Sequence, residues 1–348
     1  ERTGRDAEAL SSFEQASRLL TEATDPQLAA GAACLRLARF DDAITWLETV
    51  LSTHTNIEHA WAMLIDAHAS TEDHDAAETS FYLAQDALSN PSASVLVAMS
   101  GSLLSRQLLD RATWCAREAL RLDSGVQGGR LRLASALVAS GNGQQASQIL
   151  LQELREDPGN VQALLLHADV LAESGRTNEA CIKLHRVLEL EPANVDAHIR
   201  AGQFAMEDER WEEAFIAWGL VRRLYPSHPT ASLHVAQTLL AMQRPEAARP
   251  LLKEYLDRMD SNADQDEKLL VAELLLSASE PTMASSLLAP LCKELDDQDP
   301  KKVVCLRLLA VTLFASGKLD EGAAVSRKVL RFNPQCISSI HNLALAGL

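Results

Sequence analysis

Cys181 and His185 lie four residues apart, the spacing that sets two zinc-type ligands on one face of a helix. A structural zinc site takes four ligands, and no second pair of this spacing accompanies the first, so packing and solvent account for it more simply. His68, Asp73, His74 and Asp75 form a denser group of metal-type side chains, but they fall across one turn, where polar residues are ordinarily solvated. Gly125, Gly128 and Gly129 could cradle a phosphate if a strand preceded them; here they open a helical segment. Neither HExxH nor GxxxxGK followed by Ser or Thr occurs. The sequence therefore offers no catalytic, cofactor or metal constellation, and the function must lie in the elements that carry these residues.

Those elements repeat. Residues 161–192, VQALLLHADVLAESGRTNEACIKLHRVLELEP, and residues 195–226, VDAHIRAGQFAMEDERWEEAFIAWGLVRRLYP, superpose at a step of 34 residues. The overlay puts a small residue at repeat position 8 (Ala168, Gly202), alanine at position 20 (Ala180, Ala214) and proline at position 32 (Pro192, Pro226). Small residues allow two helices to approach closely, and proline ends the second helix. Extended outward, the frame starts units at Thr24, Glu58, Ala93, Gln127, Val161, Val195, Pro229, Gln265 and Val303. Position 20 then reads Ala43, Ala77, Ala112, Ala146, Ala180, Ala214, Ala248, Ala284 and Gly322. Within a unit the frame predicts a first helix over positions 1–14, a turn, and a second helix over 18–31. Position 15 is glycine in three units (Gly141, Gly175, Gly317), where a helix end wants a left-handed residue.

This pattern resembles the tetratricopeptide repeat, a helix-turn-helix unit of this period. The resemblance covers the chain and implies an all-α, right-handed α-solenoid, a superhelix forming a single array over residues 1–348. Nine full repeats would be flanked by half repeats at 1–23 and 337–348, and such open ends suggest a fragment of a longer protein. An array cut inside a repeat should also be prone to self-association through its ends, with Ile340, Leu343, Ala344 and Leu348 uncovered. Pro245 and Pro281, expected in the turns, and Pro250 and Pro290, expected within second helices, together with longer spacers between units make residues 245–302 the expected site of irregular pitch or a hinge.

Composition excludes several functions. The 348 residues carry 32 Lys and Arg against 48 Asp and Glu, a formal charge of −16, which argues against a nucleic acid or anionic-membrane partner. No apolar run is long enough to span a bilayer, so no membrane insertion is expected in this segment. The six cysteines (Cys34, Cys115, Cys181, Cys292, Cys305, Cys336) share no repeat position, so all six are expected to be reduced packing residues of a cytoplasmic protein. Trp46 and Trp114 are expected to face outward, and Trp61, Trp211 and Trp218 to pack.

In the family the first helices line a concave groove, with positions 2, 5, 9, 12 and 13 pointing inward. The resemblance thus implies a non-catalytic scaffold that binds a partner protein or peptide. An alternative is the recruiting arm of a larger enzyme, such as a transferase, whose catalytic domain lies outside these residues. Position 9 lacks the asparagine ladder of the O-linked N-acetylglucosamine transferases, and the Lys and Asn clamp of the cochaperones does not recur at positions 5 and 9. The groove residues expected to contact the partner are Leu165, Asp169, Glu173, Asp196, Ile199, Gln203, Met206, Glu207, Leu233, Gln237, Leu240, Asp266, Leu269 and Glu273. Carboxylates beside apolar positions favour a basic, amphipathic peptide.

Overall fold

The structure is a computed structural model that describes residues 2–19, 24–88, 92–260, 263–345 and 347. Its helices fall into two compact units, Glu1–Leu190 and Glu191–Leu348. In the first, α1 (Arg2–Leu19) is followed by five helix pairs: α2 (Thr24–Arg36) with α3 (Phe40–Thr53), α4 (Glu58–Ser70) with α5 (His74–Ala87), α6 (Ala93–Ser105) with α7 (Leu109–Leu122), α8 (Gly129–Ala139) with α9 (Gly143–Glu156), and α10 (Val161–Glu173) with α11 (Thr177–Leu190). The second holds four pairs and a last helix: α12 (Val195–Glu207) with α13 (Trp211–Leu224), α14 (Ala231–Ala241) with α15 (Pro245–Arg258), α16 (Gln265–Ser277) with α17 (Pro281–Glu294), α18 (Pro300–Ala315) with α19 (Leu319–Phe332), and α20 (Ile337–Leu345). Among the described residues there is no strand. Each unit is an α-solenoid of stacked pairs, in which the core is built from apolar residues packed against neighbouring helices.

Local sequence explains the boundaries. Side chains of Ser92, Asn160, Asn194, Asp264 and Asp299 accept hydrogen bonds from backbone N–H groups at the starts of α6, α10, α12, α16 and α18. Each such cap is worth about 1 kcal/mol. Gly128 caps α8 in the left-handed region instead (φ 75°), and α8 starts at Gly129, two residues after the start of the sequence frame. Between the helices of every pair, position 15 is left-handed. That holds for Gly141, Gly175 and Gly317 (φ 74–75°) and also for Ala38, Glu72, Gln107, Glu209, Gln243 and Ser279 (φ 56–60°). Six turns thus keep a backbone conformation that an L side chain disfavours.

The close approach of paired helices rests on small buried residues. All eight alanines at position 20, from Ala43 to Ala284, have no solvent exposure, and so does Ala168 at position 8. Gly202 is smaller still because a Cβ there would lie 2.7 Å from Nε1 of Trp218, which fills the space and stacks on His234 with ring centroids 4.1 Å apart. The second unit has one continuous core running from Ala205 through Trp218, Leu252 and Leu288 to Val329.

Three sequence expectations are corrected. Cys292 and Cys305 are joined by a disulfide with Cα atoms 5.8 Å apart, so the six cysteines are not all reduced. The bond ties the end of α17 to the next first helix, α18, and therefore joins two different repeat positions; a search for cysteines at one position cannot see it. Trp46 does not face outward: it is half-buried against the cluster around Leu10, Ala30 and Cys34. Pro245 and Pro281 sit at the first residues of α15 and α17 rather than in the preceding turns, and both helices continue through Pro250 and Pro290. A first-turn proline loses no helical hydrogen bond, which is why the chain places it there.

Candidate binding surfaces

The first helices of the second unit bring a stripe of the expected groove residues together. On α12, Asp196, Ile199, Gln203, Met206 and Glu207 follow helical spacing along one face. Asp196, Gln203 and Glu207 are exposed, whereas Ile199 and Met206 are half-buried against the core below. On α14, Gln237 and Leu240 are half-buried, and Gln237 Oε1 accepts a 2.8 Å hydrogen bond from His234 Nδ1 in the tautomer that carries its proton there. On α16, Glu273 is exposed, but Asp266 is already paired with Lys301 Nζ at 2.8 Å. Leu233 and Leu269 belong to the core, at 3% and 8% exposure, so the apolar part of this face comes from Ile199, Met206 and Leu240 instead. Arg200, next to Ile199, donates to the backbone oxygen of Asp196 at 3.3 Å and puts a cation beside the carboxylates.

The first unit carries α10, where Leu165 is buried, Asp169 half-buried and Glu173 exposed. Further along that unit's first helices, Arg132 of α8 reaches over α6 to Asp66 of α4, with Nη2 and Oδ1 3.7 Å apart. Gly101 makes the crossing possible, because a Cβ there would meet the Arg132 guanidinium carbon at 2.9 Å. The Asp66 carboxyl is raised above its usual value by desolvation, against the pull of Arg132. It is crowded by neighbouring atoms although 42% of its side chain still reaches solvent. This pair was not foreseen from the sequence; a glycine at position 9 with an arginine one repeat later was the available signal.

Three clefts lie on the opposite side of the pairs, between successive second helices, with the intervening first helix as floor. One of about 520 Å³ lies between α3 and α5 over α4, lined by Leu51, Trp61, Leu64, His68 and Leu83. Next to it, one of about 340 Å³ lies between α5 and α7 over α6, where Trp114 is 60% exposed beside Tyr82 and Met99. Trp114 therefore faces outward as expected. Glu78 at its edge accepts from Arg106 at 3.1 Å and Arg111 at 3.0 Å, and the Arg111 hydrogen bond, with help from Arg106, holds its carboxyl below the usual value. In the second unit, a cleft of about 560 Å³ separates α17 from α19 over α18.

Of the polar groups singled out for chemistry, one has a structural role. Asp73 accepts from Ala76 N–H at 3.0 Å and caps α5, while His185 is exposed on α11. Among the described residues no three His, Cys, Asp or Glu side chains are placed to hold a metal. No helix of the described residues is long and apolar enough to cross a membrane. On α20, Ile337 and Ile340 are exposed; Leu348 lies outside the described residues.

The family model of the tetratricopeptide repeat matches residues 131–184, from within α8 to within α11. No curated protein matches the chain. Among solved structures, the chain is similar to a tetratricopeptide repeat protein from Parabacteroides merdae, at 15% identity and a TM-score of 0.50, covering 74% of this chain and 99% of that one. PilF of Pseudomonas aeruginosa is similar at 19% identity and a TM-score of 0.49, over 62% of this chain and 96% of that one. So is YrrB, a tetratricopeptide repeat protein described as having an unusual peptide-binding site, at 16% identity and a TM-score of 0.36, over 53% and 95%. At these identities the likeness concerns the fold. The matched segment spans most of two helix pairs, α8 with α9 and α10 with α11, so residues 131–184 match the tetratricopeptide repeat, and helix pairs of the same kind recur through both compact units.

Proposed function

We propose that the chain is a non-catalytic scaffold that binds a basic, amphipathic peptide segment on the exposed faces of its first helices. The observation that carries this reading is the stripe on α12, where the exposed carboxylates of Asp196 and Glu207 flank the half-buried Ile199 and Met206. Glu273 on α16 adds a third exposed carboxylate, and α10 offers Asp169 and Glu173 in its own unit. Carboxylates at the rim speed the encounter with a cationic segment, and apolar contacts then slow its release. Tetratricopeptide repeats in general bind protein or peptide partners. The acidic overall charge of −16 fits a cationic partner.

The test is fluorescence anisotropy with a labelled peptide of alternating Lys and Leu. Asp196→Lys combined with Glu273→Lys should slow association by roughly an order of magnitude at low salt, and the difference should shrink as salt is raised. Met206→Ala should instead raise the dissociation rate. Equal binding by all three proteins, or tighter binding of an acidic peptide to this face, would show the reading to be wrong. A cytoplasmic home would keep Cys292 and Cys305 as two thiols, because glutathione and thioredoxin reduce such pairs there. The thiol state of protein taken from its own cell therefore distinguishes the cytoplasm from an oxidising compartment.

A further inference from the structure

The cleft between α17 and α19 has the opposite charge to the rest of the chain. Lys293 rises from α17, Lys302 from α18, and Lys328 and Arg331 from α19, with Asp297 as the one carboxylate in the lining. Lys302 is committed to structure: it donates to the Leu295 backbone oxygen at 2.7 Å and pairs with Asp297 at 3.3 Å. Lys293, Lys328 and Arg331 are exposed, and among the described residues they make no ion pair. Elsewhere several arginines are neutralised by a neighbour on their own helix turn, as Arg39 is by Asp42, Arg121 by Glu118 and Arg176 by Glu179. Lys293 and Arg331 lie in the last turns of α17 and α19, where the helix dipole favours a cation. That preference explains a cation at each helix end; it does not explain three of them converging, unpaired, on one apolar cleft in a chain of net charge −16.

Between these cations the surface is apolar. Leu306 and Leu309 of α18 form the floor, with Val325 and Phe332 of α19 on one wall. Phe332 is 42% exposed, so part of its ring is available to a ligand. The other wall is fixed, because Cys292, which lines the cleft, is bonded to Cys305 on the floor helix. A wall and floor tied together lose little freedom on binding, so the cleft is organised before a ligand arrives. Its volume of about 560 Å³ is in the range that holds an apolar side chain with its flanking backbone.

We propose that this cleft is a second binding site, which takes an acidic peptide segment carrying an apolar anchor. The anchor would lie on Leu306, Leu309 and Phe332, and the flanking carboxylates would meet Lys293, Lys328 and Arg331. The site uses the second-helix side of the pairs and is independent of the first-helix faces. A chain with both sites joins one partner that presents a basic segment to another that presents an acidic one.

The experiment measures anisotropy of the fluorescein-labelled peptide Glu-Asp-Leu-Phe-Glu-Asp with the full chain, beside a control with Lys in place of every Glu and Asp. The variants are Lys328→Glu combined with Arg331→Glu, Phe332→Ala, and, as a milder change, Lys293→Gln combined with Lys328→Gln. Circular dichroism melts establish that each is folded. The acidic peptide should bind and weaken with salt; the double reversal should cost at least about tenfold in affinity, and the other two variants several-fold each. The lysine peptide should be indifferent to all of them. Failure of the acidic peptide to bind, or binding that none of the variants alters, overturns the proposal. Dodecanoate binding at this cleft in place of the peptide would identify an anionic amphiphile and also overturn it.

Discussion

Substituting one glutamine by glycine should have opposite effects at two places in the first unit. Gln107 is the turn residue between α6 and α7, exposed, without a side-chain hydrogen bond among the described residues, and held at φ 59°. Gln152 is exposed within α9. At Gln152, glycine costs about 1 kcal/mol relative to a good helix former. At Gln107 the native side chain bears a left-handed penalty of roughly 1–2 kcal/mol, which glycine removes, while glycine's greater freedom in the unfolded chain takes back about 0.5–1 kcal/mol. The net expectation is a gain of between zero and about 1.5 kcal/mol for Gln107→Gly. Gly141→Ala is the converse case: an added Cβ meets nothing within 4 Å, so any loss is purely that of the backbone at φ 75°. Urea unfolding of the three variants, compared by midpoint at constant slope, gives the answer. If Gln107→Gly destabilises as much as Gln152→Gly, the claim that position 15 sets the turn through backbone conformation is refuted.

Stability should also depend on His167, which is buried at 3% exposure with Nε2 3.0 Å from Ser147 Oγ; desolvation, with lesser contributions from Lys183 and Arg176, lowers its pKa to about 4. Because the folded value lies below the unfolded one, the stabilisation is complete above about pH 6.5 and is lost as pH falls toward 4, by up to about 3 kcal/mol. His167→Gln should flatten that slope in urea titrations between these limits, and an unchanged slope would show that other groups cause it. Ala180→Leu, at a site with no exposure where α11 meets α10, should overpack the pair and cost about 1–3 kcal/mol; a neutral urea midpoint would argue against the helix register. Thiol titration of the denatured, unreduced protein should find four thiols (Cys34, Cys115, Cys181, Cys336), and six would contradict the Cys292–Cys305 bond. Reduction should lower stability by about 3 kcal/mol, the loop-entropy value for a closure of this length, read as a drop in the melting point of the second unit.

The helix pairs were legible in the sequence because their constraint recurs at one position. A small buried residue is needed wherever the two helices of a pair touch, so the eight alanines from Ala43 to Ala284, with Gly322 in phase, mark nine contacts. The turn was legible at Gly141, Gly175 and Gly317 and hidden at the other six, since Glu72 or Gln107 in a left-handed conformation has no distinguishing residue type. Features that join different positions escaped altogether. The Cys292–Cys305 bond joins neighbouring repeats and the Arg132–Asp66 pair bridges across an intervening one, and only packing brings their ends together. The groove residues were placed on the expected helices by spacing alone, but spacing does not reveal depth. Leu165, Leu233 and Leu269 sit in the core, while Ile199, Met206 and Leu240 keep part of their surface. Lys301, which neutralises Asp266, comes from the next helix pair and could not be assigned to it beforehand.

Hydrogen–deuterium exchange with and without the Lys-Leu peptide tests the central claim most directly, because it reports which helices the peptide covers. Added protection is expected on the first helices α12 and α16, around Asp196 to Glu207 and Glu273. Protection confined to the second helices α13, α15 and α17, or none at a saturating peptide concentration, would contradict it.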